Sequence, residues 1–410
     1  MNKTYRIINP GYDNQAKQFI RAQGNFLFDQ NDQPFIDLVM GAGSLILGHS
    51  DKVVVEKIKQ QSEKSSLFLQ NNPSVQALSN KVAQLIPCEL INQIYCNTGS
   101  EATQRAVRLA RAATGKTHIA SFQGGWHGMN EWTLLDDGGR FGQSTVRADN
   151  GIPKVALEYS LLLPYNDDAV WQIIDKNAKQ LAAIIIEPLQ GSNPQPDIYP
   201  FLSKLTEYCQ NLGILVIFDE IITGFRVDPG GAASLMNLKP DIVTYGKVLG
   251  GGLPLGLVAF TEQVFAKTFA DKNKQILTGG TFSANPISAT AGLATLEQLT
   301  PQTYAKIKGL TSFFLNELNQ AFQNNNINFH ADGSGSINRI YFTDQKIKNR
   351  QQRDGFEISA EKQTKFRALM VQQGVLWPTN GIVCMPASQN ETLLSEVIDK
   401  IIYAAKEIEK

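Results

Sequence analysis

The chain has 410 residues, 42% of them hydrophobic and 19% charged, with 38 basic residues set against 38 acidic ones. This composition excludes a disordered or fibrous protein and supplies enough apolar material for two domains with sizeable cores. The formal net charge of zero excludes a global pull toward nucleic acid or an anionic membrane, so any partner is recognised locally.

The opening stretch MNKTYRIINPGYDNQ lacks the apolar core of a signal peptide, and no later run reaches the roughly 18 apolar residues of a membrane span. The expectation is a cytoplasmic protein. Cys88, Cys96, Cys209 and Cys384 are scattered without CxxC spacing, and the four histidines form no HExxH motif. Neither a disulfide framework nor a zinc site is expected; packed, neutral thiols are. Short strands NFLFD and PFIDLV around a QNDQ turn suggest that residues 1–55 pack with a smaller domain built at the far end of the chain.

From residue 56 to about 300, short and nearly continuous apolar runs stop abruptly at polar or glycine residues. These runs are QIYCNTG (93–99), HIASFQGG (118–125), LAAIIIEP (181–188), GILVIFDE (213–220) and DIVTYGK (241–247). Continuous apolarity is what a strand buried on both faces requires. Helical patterns separate them, as in GSEATQRAVRLARAA (99–113), where Ala102, Ala106, Leu109, Ala110 and Ala113 recur at helical spacing while Arg105, Arg108 and Arg111 fall on other faces. Strand and helix alternation predicts an α/β fold with a mainly parallel sheet, whose ligands gather at the carboxyl ends of the strands. Residues 301–410 change character: a helix (TYAKIKGLTSFFLNELNQAF), a Gly-rich turn (ADGSGS, 331–336), a strand (INRIYF) and a final helix predict a smaller α+β domain.

The polar residues that close the apolar runs are the candidate site. Lys247 ends one run and is followed by Gly250-Gly251-Gly252-Leu253-Pro254, a loop that allows close backbone approach; it is placed to carry a carbonyl cofactor as a Schiff base, although an isolated lysine there would be a surface residue. Asp219 ends another run. A carboxylate there is costly to desolvate unless a cation meets it, and the protonated ring nitrogen of pyridoxal 5'-phosphate (PLP) is such a cation; a helix cap or buried ion pair is the plainer use. Ile221 could pack on the ring face. Gly99 and Ser100 open a helix, where free amides and the helix dipole suit a phosphate, although Ser100 could serve only as a cap. Trp126, after the HIASFQGG run, could stack on the ring or simply fill the core.

Taken together these segments resemble the class III (subgroup II) aminotransferases of PLP fold type I, the aspartate aminotransferase-like fold, and within them the glutamate-1-semialdehyde 2,1-aminomutase branch. The resemblance rests on NTGSEATQRAVRLARAATGK (97–116), GGWHG (124–128), IIIEP (184–188), FDEIITGFRV (218–227), PDIVTYGKVLGGGLPLG (240–256) and GGTFSANPISATAGLATLE (279–297), among others spread over nearly the whole chain. It implies that Lys247 is the cofactor lysine and proton shuttle, that Asp219 pairs with the ring nitrogen, and that Gly99 and Ser100, with Thr98 ahead of them, hold the phosphate. It further implies that Trp126 stacks, that His127, Glu187 and Ile221 complete the cofactor site, and that Thr281 reaches the cofactor of a neighbouring subunit in an obligate homodimer. On residues alone, Thr281 could equally be a helix cap.

The substrate half departs from that pattern. The branch's early arginine, which helps hold a substrate carboxylate, is missing: the sequence reads Tyr12, Asp13, Asn14, Gln15, Ala16, Lys17. Gly41-Ala42-Gly43-Ser44-Leu45 and Asn380-Gly381-Ile382-Val383-Cys384-Met385 replace two further motifs. The segment 130–153, in the place of a gating loop, carries Asp136, Asp137, Arg140, Arg147 and Asp149. The expected activity is transfer of an amino group between an amino donor and an aldehyde or ketone. The intramolecular aminomutase reaction is the alternative, with Arg339 or Lys17 as substitute for the lost arginine; an ammonia lyase and a non-catalytic PLP-binding protein are remoter ones.

Overall fold

The computed structural model describes residues 17–135, 151–272, 275–379 and 381–410, and the strands among them form three sheets. The first begins with strands Phe19–Gln23 (β1), Phe26–Asp29 (β2) and Pro34–Asp37 (β3). The central sheet follows: Asn92–Cys96 (β4), His118–Phe122 (β5), Ser160–Leu163 (β6), Leu181–Ile186 (β7), Leu215–Glu220 (β8), Ile242–Tyr245 (β9) and Gly256–Phe260 (β10). His330–Ser334 (β11), Ile337–Tyr341 (β12), Val375–Leu376 (β13) and Ile382–Cys384 (β14) complete the set.

The central sheet has the order β4-β10-β9-β8-β7-β5-β6, and all its strands run the same way except β10, which is antiparallel to both neighbours. Every residue of β7 (LAAIII) and β9 (IVTY) is buried, as the continuous apolar runs require of strands covered on both faces. β4 departs from that expectation. It lies at the sheet edge, its first four residues are only half-buried, and an edge strand has one flank without a neighbour.

Helix Gly99–Thr114 lies against the sheet through Ala102, Thr103, Ala106, Val107, Leu109 and Ala110, and its small residues let the helix axis come close. Thr98 caps its start by accepting from the Glu101 amide, and Gly115 ends it at φ +69°, a left-handed position that costs glycine little. Since the strands are parallel, the chain leaves β4, β5, β7, β8 and β9 at one common edge of the sheet.

The first sheet ties the two ends of the chain together, because β13 pairs in parallel with β3. β11, β12 and β14 form a small antiparallel sheet. Here the Gly-rich segment 331–336 is mostly strand rather than turn. Ala331 to Ser334 pair with Ile340 to Ile337, and only Gly335 (φ +61°) and Ser336 make the bend. The paired ladder outweighs the low strand preference of Asp-Gly-Ser.

Candidate active site at the strand ends

Asp219 is buried at the end of β8 and takes three donors. Its Oδ1 accepts from the Thr244 hydroxyl and the Ile221 amide, both at 3.1 Å, and its Oδ2 lies 2.8 Å from Nδ1 of buried His127. Thr244 stands opposite Asp219 in the β8–β9 register. A carboxylate offers about four acceptor positions, so one more donor can be received, which suits a protonated ring nitrogen. The far ring nitrogen of His127, Nε2, is buried and has no hydrogen-bond partner among the described residues.

Lys247 begins a tight turn, Lys247–Gly250, with φ +45°. A left-handed lysine is strained, and here it follows Gly246, whose φ of −170° is extended. Burial pushes the Lys247 amine below the ordinary lysine range; Cys384, Glu187 and Asp219 oppose that shift, and the Arg226 charge adds to it. An amine so placed is readily available in its neutral, nucleophilic form.

Glycines hold these strand ends together. A Cβ on Gly99 would lie 3.0 Å from Cδ1 of Ile221, and one on Gly246 would lie 3.1 Å from the same atom. Ile221 is thus wedged between the turns after β4 and β9. Gly99 and Ser100 occupy the first turn of their helix, where amides have no intrahelical acceptor, and Ser100 Oγ accepts from the Met129 amide at 3.1 Å. This corner fits a phosphate ester, and the buried Asp219 with the neighbouring lysine fits the pyridine ring and aldehyde of PLP.

Trp126 is half-buried on the loop after β5, and its amide donates to Glu187 Oε1 at 2.6 Å. The other Glu187 oxygen accepts from the Gly191 amide at 3.0 Å. Glu187 therefore ties the Trp126 loop to the loop after β7. Its own burial raises its pKa, the nearby His127 opposing and Asp219 adding to the effect.

The opposite wall comes from distant parts of the chain, and sequence reasoning did not assemble it. The turn Met40–Gly43 packs on both the Lys247 turn and β14; a Cβ on Gly43 would meet Cys384 Sγ at 3.1 Å and Arg226 Nη2 at 3.3 Å. No local motif links these residues. The two candidate substitutes for the lost arginine are both engaged: Lys17 pairs with Asp29 at 2.9 Å, and buried Arg339 pairs with Glu357 at 3.3 Å. Desolvation lowers the Arg339 pKa to about 10, with Arg353 adding and Glu357 opposing.

Thr281 is exposed and does not cap the following helix; Asn285 does, accepting from the Ser288 amide. The charged positions Asp136, Asp137, Arg140, Arg147 and Asp149, the N-terminal residues through Ala16, and Asn380 lie outside the described residues. Cys88 is exposed while Cys96, Cys209 and Cys384 are buried, and none is paired; burial raises both the Cys96 and the Cys209 thiol to about 12.

Comparison with known proteins agrees with this geometry. The family model for class-III aminotransferases matches residues 7–403. The chain is 34% identical to the glutamate-1-semialdehyde 2,1-aminomutase of Methanocaldococcus jannaschii over 400 residues, covering 95% of this chain and 90% of that protein. It is 33% identical to the enzyme of the same name from Methanococcus maripaludis strain C6, over 94% of this chain and 90% of the relative. Among solved structures, an omega-transaminase from Sphaerobacter thermophilus superposes with a TM-score of 0.88 at 25% identity, covering 96% of this chain and 92% of the other. A glutamate-1-semialdehyde aminomutase from Pseudomonas aeruginosa, at 18% identity and a TM-score of 0.83, shares the fold over 96% of this chain and 88% of its own.

Proposed function

Because the chain belongs to the class-III aminotransferase family, whose members use PLP, we propose that it moves an amino group between two separate molecules, an amino donor and an aldehyde or ketone that is not an α-keto acid. When bound, PLP supplies an aldehyde that captures amines and a protonated ring that accepts the electron pair of the Cα–H bond. Lys247 would hold the cofactor through its amine and would move the proton at the substrate Cα. Asp219, held by His127 and Thr244, keeps the ring nitrogen protonated. Thr98, Gly99 and Ser100 receive the phosphate, Ile221 and Trp126 pack on the ring, and Glu187 holds the Trp126 loop. Residues 1–55 and 301–410 form the smaller part that meets the 56–300 domain.

The observation that carries transamination over the aminomutase reaction is the committed state of the candidate cations among the described residues. Lys17 and Arg339 both have carboxylate partners, and the guanidinium of Arg226 is buried on Gly43 O, Ile222 O and Ser336 Oγ. An enzyme that keeps one intermediate bound while it turns needs a firm carboxylate clamp; a charge-assisted contact of that kind is worth about 1.5–3 kcal/mol. The relatives at 33% and 34% identity keep the aminomutase as the second reading. The test is to load the pyridoxamine form and offer aldehydes, keto acids and glutamate-1-semialdehyde. Regeneration of the visible band by an aldehyde, with turnover only when a donor is added, is expected; donor-independent conversion of the semialdehyde to 5-aminolevulinate would overturn it.

The proposed assembly is a homodimer with shared sites, in the cytoplasm, where the free cysteines stay reduced. Its support is an exposed apolar stretch, with Leu277 85% and Phe282 61% exposed on either side of Thr281, held to the helix Gly99–Thr114 through Arg105 on Gly279 O and Arg108 on Leu277 O. Such surface is costly in a monomer. In the dimer Thr281 would reach the partner's phosphate, so Thr281→Ala should loosen PLP while sedimentation stays dimeric. A monomer with full PLP occupancy would contradict it.

A further inference from the structure

Arg226 is among the largest side chains in the molecule to be fully buried, at 1% exposure. Its Nε donates to Ile222 O at 3.1 Å, one terminal nitrogen to Ser336 Oγ at 2.7 Å and the other to Gly43 O. All three acceptors are neutral, and among the described residues no carboxylate pairs with it. A buried guanidinium is ordinarily matched by an anion; here the titratable groups that face it are the Cys384 thiol and the Tyr304 phenol, which carry no charge until they ionise. Among the described residues the positive charge is therefore met by neutral oxygens alone, and burial lowers its pKa.

Its location gives that charge a use. Arg226 is fixed to Gly43, and the turn Met40–Gly43 packs directly on Lys247–Gly250. From the other side, Phe225 packs on Tyr245, ring centroids 5.0 Å apart, two residues before Lys247. We infer that Arg226 is a positioning residue for Lys247: a fixed positive charge that keeps the lysine amine in its unprotonated, proton-accepting form. The inference rests on the reading of Lys247 as the cofactor lysine.

The other groups around Lys247 explain why such a charge is needed. The Glu187 and Asp219 carboxylates favour its protonated form, as the Cys384 thiol does once ionised, whereas burial and Arg226 disfavour it. The helix Pro286–Gln298 also packs on this turn, but its only titratable residue, Glu297, is exposed. With two carboxylates nearby, desolvation alone would be partly offset, and among the described residues Arg226 is the cation that acts on the opposing side.

The test compares Arg226→Met with Arg226→Lys. In the holoenzyme, the pH at which the visible band of the lysine-bound cofactor changes should rise by about one unit in Arg226→Met, the scale of one nearby charge, and stay within a few tenths in Arg226→Lys. An unchanged midpoint in folded Arg226→Met overturns the inference. Should Arg226→Met fail to fold, Arg226→Gln, which keeps donors for Gly43 O and Ser336 Oγ but removes the charge, decides: the midpoint of its visible band should rise in the same direction as expected for Arg226→Met. A wild-type midpoint in folded Arg226→Gln overturns the inference. Loss of the Lys247 reading itself would look different, since the visible band would then survive Lys247→Ala.

Discussion

The two walls of the site are built in different ways. The floor consists of strand ends: Asp219, Thr244 and the turn at Lys247 come from adjacent strands of one buried sheet, and Ile221 is wedged against Gly99 and Gly246 with little slack. The facing wall gathers Gly43, Arg226, Ser336 and Cys384 from four separated stretches of chain, joined by a few contacts. A floor fixed by a sheet holds the cofactor chemistry constant, while a wall of loops and short strands can be rewritten without disturbing it. Substitutions on the floor should therefore remove activity, and substitutions on the wall should redirect it.

The largest effect is expected at Lys247. On the proposed role of Lys247, Lys247→Ala removes both the cofactor linkage and the proton carrier, and activity should fall by about 10⁴-fold or more. Absorbance after borohydride treatment and dialysis checks it: wild type should retain a reduced adduct and the variant none. Asp219→Asn comes next. It keeps the shape but removes the charge proposed to face the ring nitrogen, and a fall in kcat of about 10²–10³ is expected, read by single-turnover kinetics with an amine substrate. A drop confined to KM would mean that Asp219 only packs.

Glu220 tests the floor from behind. Strand alternation turns it away from Asp219, into donors from the Ala232 and Ala233 amides and the Thr223 hydroxyl. Burial raises its pKa from 4.5 to about 7, the backbone bonds from Ala233 and Ala232 opposing. The folded state thus holds a proton that the unfolded chain releases, so this residue's contribution is fully present below pH 4.5 and is lost as pH rises toward 7. At about 1.4 kcal/mol per unit, the change is roughly 3 kcal/mol at most. Denaturant melts of the apoprotein between pH 5 and 8 should show wild type losing stability relative to Glu220→Gln as pH rises; a constant difference would remove the effect.

A smaller effect is expected at Gly128, where φ is +80° and a Cβ would fall 2.4 Å from Ser100 Oγ. Gly128→Ala should push Ser100 away and weaken PLP binding by about tenfold, near 1.4 kcal/mol. Gly151 is the control, with φ +81° and, among the described residues, nothing within 4 Å of a Cβ. Equilibrium dialysis of PLP against the two variants separates backbone strain, common to both, from the contact, present in one.

How much of this was legible depended on sequence distance. Lys247, Asp219 and Gly99 each end an apolar run and Trp126 follows one, so local pattern marks them as candidates, the family resemblance gives them roles, and the parallel sheet brings them to one edge. Thr244 could have been found by placing β8 beside β9 and reading across the register. β10 was missed because GLVAF follows the Gly-rich loop directly, without an intervening helix, and antiparallel strands need none. Arg226 and Cys384 were invisible for a different reason. Their meaning lies in what they touch, and nothing in FRV or IVCM encodes a contact with Gly43, roughly 180 and 340 residues away along the chain.

Cys384 gives the mildest and most discriminating expectation. It closes β14, is 5% exposed, and stands at the junction of Gly43, Arg226 and the field of Lys247. Replacing its CH2–SH group by a methyl group removes one buried heavy atom, the sulfur, and leaves the strand ends of the floor untouched. In Cys384→Ala the visible spectrum and PLP retention should match wild type, while relative kcat/KM values across a panel of aldehydes should shift by up to about tenfold, the scale of one small group in a pocket. Bulkier acceptors should gain, because the lost sulfur opens space beside Gly43. If the variant instead loses PLP with its substrate ranking unchanged, Cys384 belongs to the floor, and the division between a fixed cofactor side and a variable substrate side fails at the residue where the two meet.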